Sequence, residues 1–350
     1  MIQFTWGGGT GSMRSVNLAS VARLGLSLVL TFAGLLAVTF LIGRMSPVDP
    51  VLAVVGDRAD AASYAQARAA LGLDLPLAGQ FLAYAGRVVR GDFGTAVLTA
   101  QPVLEDIRRV FPATLELATL ATLVGVLLGV PMGVVAATRK GRWPDHLIRV
   151  VGLMGYSAPV FWLGLVGLAV FYARLDWVAG PGRTDIIFDG LVPEVTGVIL
   201  VDSLLAGERD VFIDALRHLV LPASILGYFS LAYISRMTRG FMLEQLRQEY
   251  VTTARVKGLS EARVVWRHAL GNVWAPLATV IALSYGHLLE GSVLTETVFA
   301  WPGLGLYITN ALLNGDMNAV LGGTVVVGAV FIGLNLLADL LSRLLDPRLR

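Results

Sequence analysis

The 350-residue sequence predicts an all-α membrane protein with about six transmembrane helices, and three observations carry that prediction. Apolar residues make up 55% of the chain and charged residues 15%, where a soluble domain averages about 25% charged. Six stretches approach the ~20 apolar residues that a helix needs to cross roughly 30 Å of hydrocarbon. The remaining charges gather in the loops between those stretches, with a basic excess on alternate loops. A mean hydropathy of +0.71 excludes a soluble enzyme or a disordered chain. The 27 basic residues are nearly balanced by 25 acidic ones, which argues against nucleic-acid binding. The absence of cysteine excludes disulfides, thiolate catalysis, Cys-ligated zinc and iron–sulfur clusters.

Residues 1–23 read as a glycine-containing cytosolic leader, with Gly7, Gly8, Gly9 and Gly11. The first span covers 24–43. Its apolar run is too long for a signal peptide, and no small-x-small cleavage site follows Ile42, so it is expected to remain as an anchor. Residues 44–113 form an outer, periplasmic segment with two expected helices. One covers 59–71 and is stopped by Gly72. The other covers 77–90, carries Phe81, Leu82, Ala85, Val88 and Val89 on one face, and is stopped by Gly91. Residues 114–350 hold the core domain, with spans expected at 114–137, 147–173, 218–237, 272–294 and 320–342 and a cytosolic loop at 238–272. Residues 236–268 carry seven basic groups against three acidic, whereas 174–217 carry four against eight and 295–319 carry no Lys or Arg. Together with Arg14, Arg23, Arg139, Lys140, Arg142, Arg149, Arg343, Arg348 and Arg350, this distribution places both termini in the cytosol.

The loop at 238–272 is too polar to span and too patterned to be a linker. Leu243, Leu246, Tyr250 and Ala254 recur at steps of three and four and form one stripe. Gly258 is placed to end that helix, with Lys257 beside the negative end of its dipole. Ser260 is expected to cap the next helix, and Leu259 to staple onto Val264. Such an elbow suits a knob that docks into a soluble partner, and equally an interfacial helix on lipid headgroups.

The residue order distinguishes the two. The run from Glu249 through Tyr250, Val251, Thr252, Thr253, Ala254, Arg255, Val256, Lys257, Gly258, Leu259 and Ser260 to Leu270 resembles the coupling loop of binding-protein-dependent ABC importer permeases, in their peptide/nickel/opine branch. Thr252-Thr253-Ala254 stands in the Glu-Ala-Ala place of the broader pattern, and Gly271 stands where that pattern has proline, with Pro276 following later. Ser46–Pro50, the surroundings of Phe93, Ser157–Trp162, Thr295–Gly305 and Leu345–Arg348 are similar to the same branch, to its first permease subunit type. The resemblance implies a type I ABC importer permease fold. It also implies a second permease subunit, two ATPase subunits on the elbows and an outer solute-binding protein, in a bacterial inner membrane. The cargo it implies is a di- or oligopeptide, with nickel chelates, opines and sugar-containing compounds as the branch's other cargoes.

No Gly-x4-Gly-Lys-Ser/Thr run occurs, so ATP and magnesium are expected on the partner ATPases and no cofactor in this chain. Neither His-Glu-x-x-His nor Gly-x-Ser-x-Gly occurs, so no catalytic residue is expected. His146, His218, His268 and His287 are too scattered for a metal cage. Pathway candidates are Ser157, Pro159 and Trp162 around an expected kink in the third span, and His287 and Glu290, one turn apart in the fifth. Glu290 suits either a cationic group in transit or a hydrogen bond to a neighbouring span. Asn335 and Asp339 read as interhelical partners. Glu296, Trp301, Pro302 and Gly303 mark the outer mouth, with Trp301 read either as an interface anchor or as part of a gate. An ion-coupled carrier and a membrane scaffold are the competing classes.

Overall fold

A computed structural model describes residues 18–45, 49–56 and 58–345. The leader up to residue 17, the Ser46–Val48 part of the first similar motif and the chain beyond Leu345 lie outside the described residues. Among the described residues all regular structure is helical, apart from one isolated bridge between Thr95 and Pro102.

In chain order the helices are α1 (Leu18–Met45), α2 (Pro50–Val55), α3 (Ala61–Ala70), α4 (Leu77–Val89), α5 (Val103–Thr138), α6 (Trp143–Ser157) and α7 (Val160–Gly167). They continue with α8 (Ile199–Ala206), α9 (Arg209–Gln245), α10 (Glu249–Val256), α11 (Glu261–Arg263), α12 (Leu270–Val298), α13 (Leu304–Leu313) and α14 (Met317–Leu345). Among the described residues five continuous helical runs are long and apolar enough to cross a membrane, and α6 with α7, bent by 97°, makes a sixth when taken as one broken span. Where the sequence predicts a kink at Pro159 the helix is broken: Ala158 is extended at ψ 131° and Pro159 starts α7 as its cap. Proline removes a backbone donor and disfavours helical geometry in the residue before it, which accounts for the break at this pair.

The spans run longer than hydropathy alone indicates. α5 begins at Val103, eleven residues before the expected start, so the outer segment ends sooner. Glu105 and Asp106 lie in its first turn, where acidic groups complement the dipole, and they mask the start of the helix in an apolar count. Three helices went unpredicted, α2, α8 and α13. α13 has ten residues and turns back beside α12 and α14 without spanning.

The outer segment is helical as expected, but the buried face of α4 is different. Phe81, Tyr84, Ala85 and Val88 pack against Leu36 of α1 and Val325 of α14, while Leu82 and Val89 are exposed. The true stripe follows the i, i+3, i+4, i+7 spacing, which the expected set broke. Asp316 is buried and ties this segment to α14. Its Oδ2 accepts Val97 N at 2.6 Å and its Oδ1 accepts Ala319 N at 3.2 Å.

The core pair is α5 with α9, the most extensive helix contact among the described residues. Gly125, Gly129 and Gly133 repeat at every fourth residue and face α9. A Cβ on Gly129 would stand 3.1 Å from Leu231 O, and one on Gly133 would stand 2.7 Å from Ser235 O. Small residues at this spacing let two backbones approach where lipid supplies no hydrophobic drive. Val130, Val134, Ile234, Met242, Val273 and Leu277 fill the space beside the seam. Gly133→Ala is expected to lower stability by about 1–3 kcal/mol through overpacking. Gly240→Ala on α9, with open space around it, should leave thermal unfolding in detergent unchanged or slightly raised.

Candidate functional site

The elbow forms as two short helices between α9 and α12: α9 ends at Gln245, α10 follows, and α11 leads through a π-helical stretch, Val264–Ala269, into α12. Gly258 has φ +77° and stops α10. Gly258 N donates to Arg255 O at 2.9 Å and Leu259 N donates to Ala254 O at 3.2 Å, the paired bonds of a Schellman ending. Leu259 packs with Ala254, Val251 and Val264, so the expected staple is present. Val251, fully buried, belongs to the stripe and was missed.

Ser260 precedes α11 as expected, but its side chain makes no capping bond. The first-turn carboxylate of Glu261 instead takes a two-pronged bond from Arg255, with Nε to Oε2 at 3.0 Å and Nη2 to Oε1 at 2.6 Å. That hydrogen bond holds the Arg255 guanidinium pKa above its ordinary value. Tyr250 donates to Gln245 Oε1 at 2.9 Å, closing the elbow onto the end of α9. Thr252, Thr253, Arg255, Lys257, Gly258 and Ser260 are exposed, and so is Val256 at 83%. At the root, Val265, Ala269 and Leu270 join the same buried cluster as Val134, Ile234 and Met242. The elbow is therefore a stiff polar knob, with one apolar residue at its tip, built into the core helices.

At the opposite end of α12 the chain makes a tight turn. Glu296 is completely buried, and its Oε1 accepts Thr114 Oγ1 at 2.8 Å and Ser292 Oγ at 3.0 Å. Its Oε2 accepts Leu306 N at 3.0 Å. Thr114 Oγ1 in turn accepts Leu304 N at 2.8 Å, so one carboxylate and one hydroxyl join α5, α12 and α13. Gly303 is required by this approach, because a Cβ there would stand 2.5 Å from both Glu296 Oε2 and Thr114 Oγ1. Trp301 is also completely buried and donates from Nε1 to Ala113 O at 2.9 Å, which overturns its reading as an interface anchor. Pro302 is exposed beside it.

Arg183 stacks over the Trp301 ring, with Cζ 5.7 Å from the centroid, and pairs with buried Glu116 of α5 at 2.6 Å. Arg183 also donates to Gly197 O at 2.7 Å, and Glu116 Oε1 accepts Leu200 N at 3.0 Å, so the 174–198 loop is fastened to the bundle here. Sequence reading missed Thr114, Glu116 and Arg183. The signal for Glu116 was available, since a carboxylate inside a span has to find a partner.

The pathway candidates are only partly united. His287 and Glu290 share an exposed face of α12. His287 Nδ1 lies 2.7 Å from Leu283 O, and its ring stands edge-on to Phe331 at 6.1 Å. Glu290 borders a cavity of about 20 Å³ with Thr114 and Phe331, and among the described residues it has no hydrogen-bond partner on a neighbouring span. Ser157 Oγ bonds Leu153 O at 3.0 Å within α6, and Trp162 is half exposed on α7. No hydrogen bond among the described residues joins Ser157, Pro159 or Trp162 to His287 or Glu290. Asn335 donates to Phe331 O at 3.0 Å in its own helix, so the expected bond across helices is absent for it among the described residues.

Residues 129–350 match the family described as binding-protein-dependent transport system inner membrane component, and residues 18–118 match the N-terminal region of such membrane components. The probable D,D-dipeptide transport system permease protein DdpB of Escherichia coli K12 is 45% identical over 324 residues, covering 92% of this chain and 94% of that protein. The di/tripeptide transport system permease protein DppB of Pseudomonas aeruginosa UCBPP-PA14 is 44% identical over 329 residues, covering 94% and 97%. A solved chain of the inward-facing methionine ABC transporter MetNI is similar at 17% identity and TM-score 0.48, covering 67% of this chain and 93% of that one. The chain belongs to the family of inner membrane components of binding-protein-dependent transport systems, as a multi-pass permease subunit of a bacterial ABC importer.

Proposed function

We propose that this permease carries small peptides inward by alternating access, driven through its elbow by ATPase subunits that bind ATP and magnesium. The observation that carries the coupling role is the construction of residues 249–260: a tip of exposed Thr252, Thr253, Arg255, Val256 and Lys257 on a locked turn at Gly258. That tip is rooted in the buried cluster shared by α5, α9 and α12, so a load on it reaches the spans as displacement of packed helices. Glu249, Tyr250, Ala254, Leu259 and Ser260 shape the knob.

The peptide assignment draws on relatives named as dipeptide and di/tripeptide permeases at 44–45% identity. A second permease subunit completes the path, and an outer solute-binding protein delivers cargo at the mouth around Glu296, Trp301, Pro302 and Gly303. His287 and Glu290 face that path and receive the cationic amine of the peptide, while Ser157, Pro159 and Trp162 border it at the break in the third span. Hydrolysis itself belongs to the partners. Both termini and the elbow are cytosolic, and residues 49–101 are periplasmic.

Three outcomes are expected. In proteoliposomes with its cognate partners, Gly258→Val should lower ATP-driven uptake of a labelled dipeptide at least tenfold, because a valine at φ +77° costs about 1–3 kcal/mol and unlocks the turn. Uptake at the parental rate would remove the coupling role. The protein has no native cysteine, so single cysteines report topology cleanly. Thr252→Cys should react with an impermeant maleimide only from the cytosolic side, and Ile186→Cys only from the outer side. Glu290→Gln should slow dipeptide uptake severalfold while ATP hydrolysis stimulated by the loaded binding protein persists, and unchanged uptake would show Glu290 to be a bystander.

A further inference from the structure

A cavity of about 650 Å³ opens between the end of the first span, helix α4 and the start of α14. Its walls are fixed. Tyr84 OH and Thr39 Oγ1 are hydrogen-bonded at 3.0 Å, joining α4 to α1, and Phe40 meets Phe81 edge-on at 5.6 Å and Tyr84 at a tilt at 5.8 Å. Two guanidinium groups, Arg44 and Arg87, stand on the lining with a single described carboxylate, Asp92. Arg44 lies over the Phe40 ring at 5.5 Å, and among the described residues neither arginine forms an ion pair. Asp92 uses Oδ1 to accept Gly94 N at 3.0 Å. Like charges left uncompensated at the edge of the hydrocarbon are costly, and an anion between them relieves that cost.

Gln80, on the same wall, specifies more than charge. Its Nε2 donates to Leu73 O at 2.9 Å and to Leu75 O at 2.7 Å, which fixes the amide orientation. Its Oε1 is buried with no hydrogen-bond partner. A buried acceptor without a donor is rare enough to require an explanation. The missing occupant thus carries a donor group as well as negative charge. Location narrows the class further. Leu41 and Ile42, beside the cavity on α1, are exposed apolar residues of a spanning helix, and Leu321 and Phe40 give the cavity an apolar side.

We infer that this cavity holds the headgroup of a phospholipid, with Arg44 and Arg87 on the phosphodiester and Gln80 Oε1 accepting from a hydroxyl or ammonium of the headgroup. Arginine pairs favourably with phosphate because its planar fork matches two oxygens at once. The acyl chains lie along the exposed apolar surface of α1. The lipid thereby wedges the outer segment against α1 and α14.

The test uses the delipidated full-length protein in detergent and titrates dioctanoyl phosphatidylglycerol, dioctanoyl phosphatidic acid, dioctanoylglycerol and inorganic phosphate. Phosphatidylglycerol should bind the parent protein and bind the double variant Arg44→Gln/Arg87→Gln at least tenfold more weakly. Arg90→Gln, an exposed arginine off the lining, should bind as the parent does. Gln80→Met should weaken phosphatidylglycerol severalfold yet leave phosphatidic acid, which lacks the headgroup donors, unchanged. This variant keeps the arginines and serves where the double variant does not fold. Equal affinity of the folded double variant, equal binding of dioctanoylglycerol, or displacement of the lipid by equimolar inorganic phosphate would overturn the assignment.

Discussion

Close approach of two backbones, α5 and α9, is the constraint on which the rest of the protein depends. In hydrocarbon, apolar side chains gain little by leaving lipid for one another, so helix association rests on contact density and on hydrogen bonds. Gly125, Gly129 and Gly133 supply the density by letting the α9 backbone come within van der Waals range. Gly227 answers from the other side, where a Cβ would stand 3.2 Å from Ala121 O. With the seam this tight, every group presented at its two ends is positioned by the pair. Thr114 and Glu116 lie toward one end of α5, and Arg239 lies toward the other end of α9.

Those ends are where the charge is. At one, Glu296, Glu116 and Arg183 form adjoining clusters whose carboxylates accept from hydroxyls, backbone amides and a guanidinium. At the other, Asp145 at the start of α6 receives Arg239 through two bonds of 2.7 and 2.9 Å, and also accepts Gly141 N at 3.0 Å. A buried pair of this kind contributes little net stability over an apolar substitute, because desolvation offsets the attraction. What it does contribute is position, since either partner alone would be stranded. The polar ends therefore fix the register of a bundle whose middle is held by the close glycine seam.

Most of the architecture was legible because hydropathy and glycine each have a direct physical cause. Long apolar runs have one low-energy form in a bilayer, and Gly258 and Leu259 occupy the spacing that a Schellman ending demands. Legibility failed where a residue's role depends on a remote partner. Trp301 carries the same indole whether it lies among headgroups or, as here, donates to Ala113 O 188 positions away. Glu296 was assigned to the mouth without its burial, since Thr114, Ser292 and Leu306 gather around it only in the fold. α13 escaped for another reason: ten apolar residues are too few to span, and their position beside α12 and α14 is set by packing. Pro159 was read correctly as a disturbance, but whether a proline bends or breaks a helix depends on the geometry of the residue before it.

The two candidate sites are the two ends of one element. From Glu261 to Val298 the chain is helical for 38 residues, about 57 Å at 1.5 Å per residue, long enough to cross the bilayer and protrude. One end carries the elbow, fastened to α5 and α9 through Val265, Ala269 and Leu270. The other carries Ser292 and Glu296, fastened to α5 and α13 through the carboxylate. Between them, Glu290 and His287 lie on an exposed face with no interhelical hydrogen bond among the described residues. A helix held at both ends and free on one face in the middle can shift only if its fastenings shift with it. Under the proposed coupling role, this arrangement gives a load on the elbow a continuous helical path to the turn bearing Trp301.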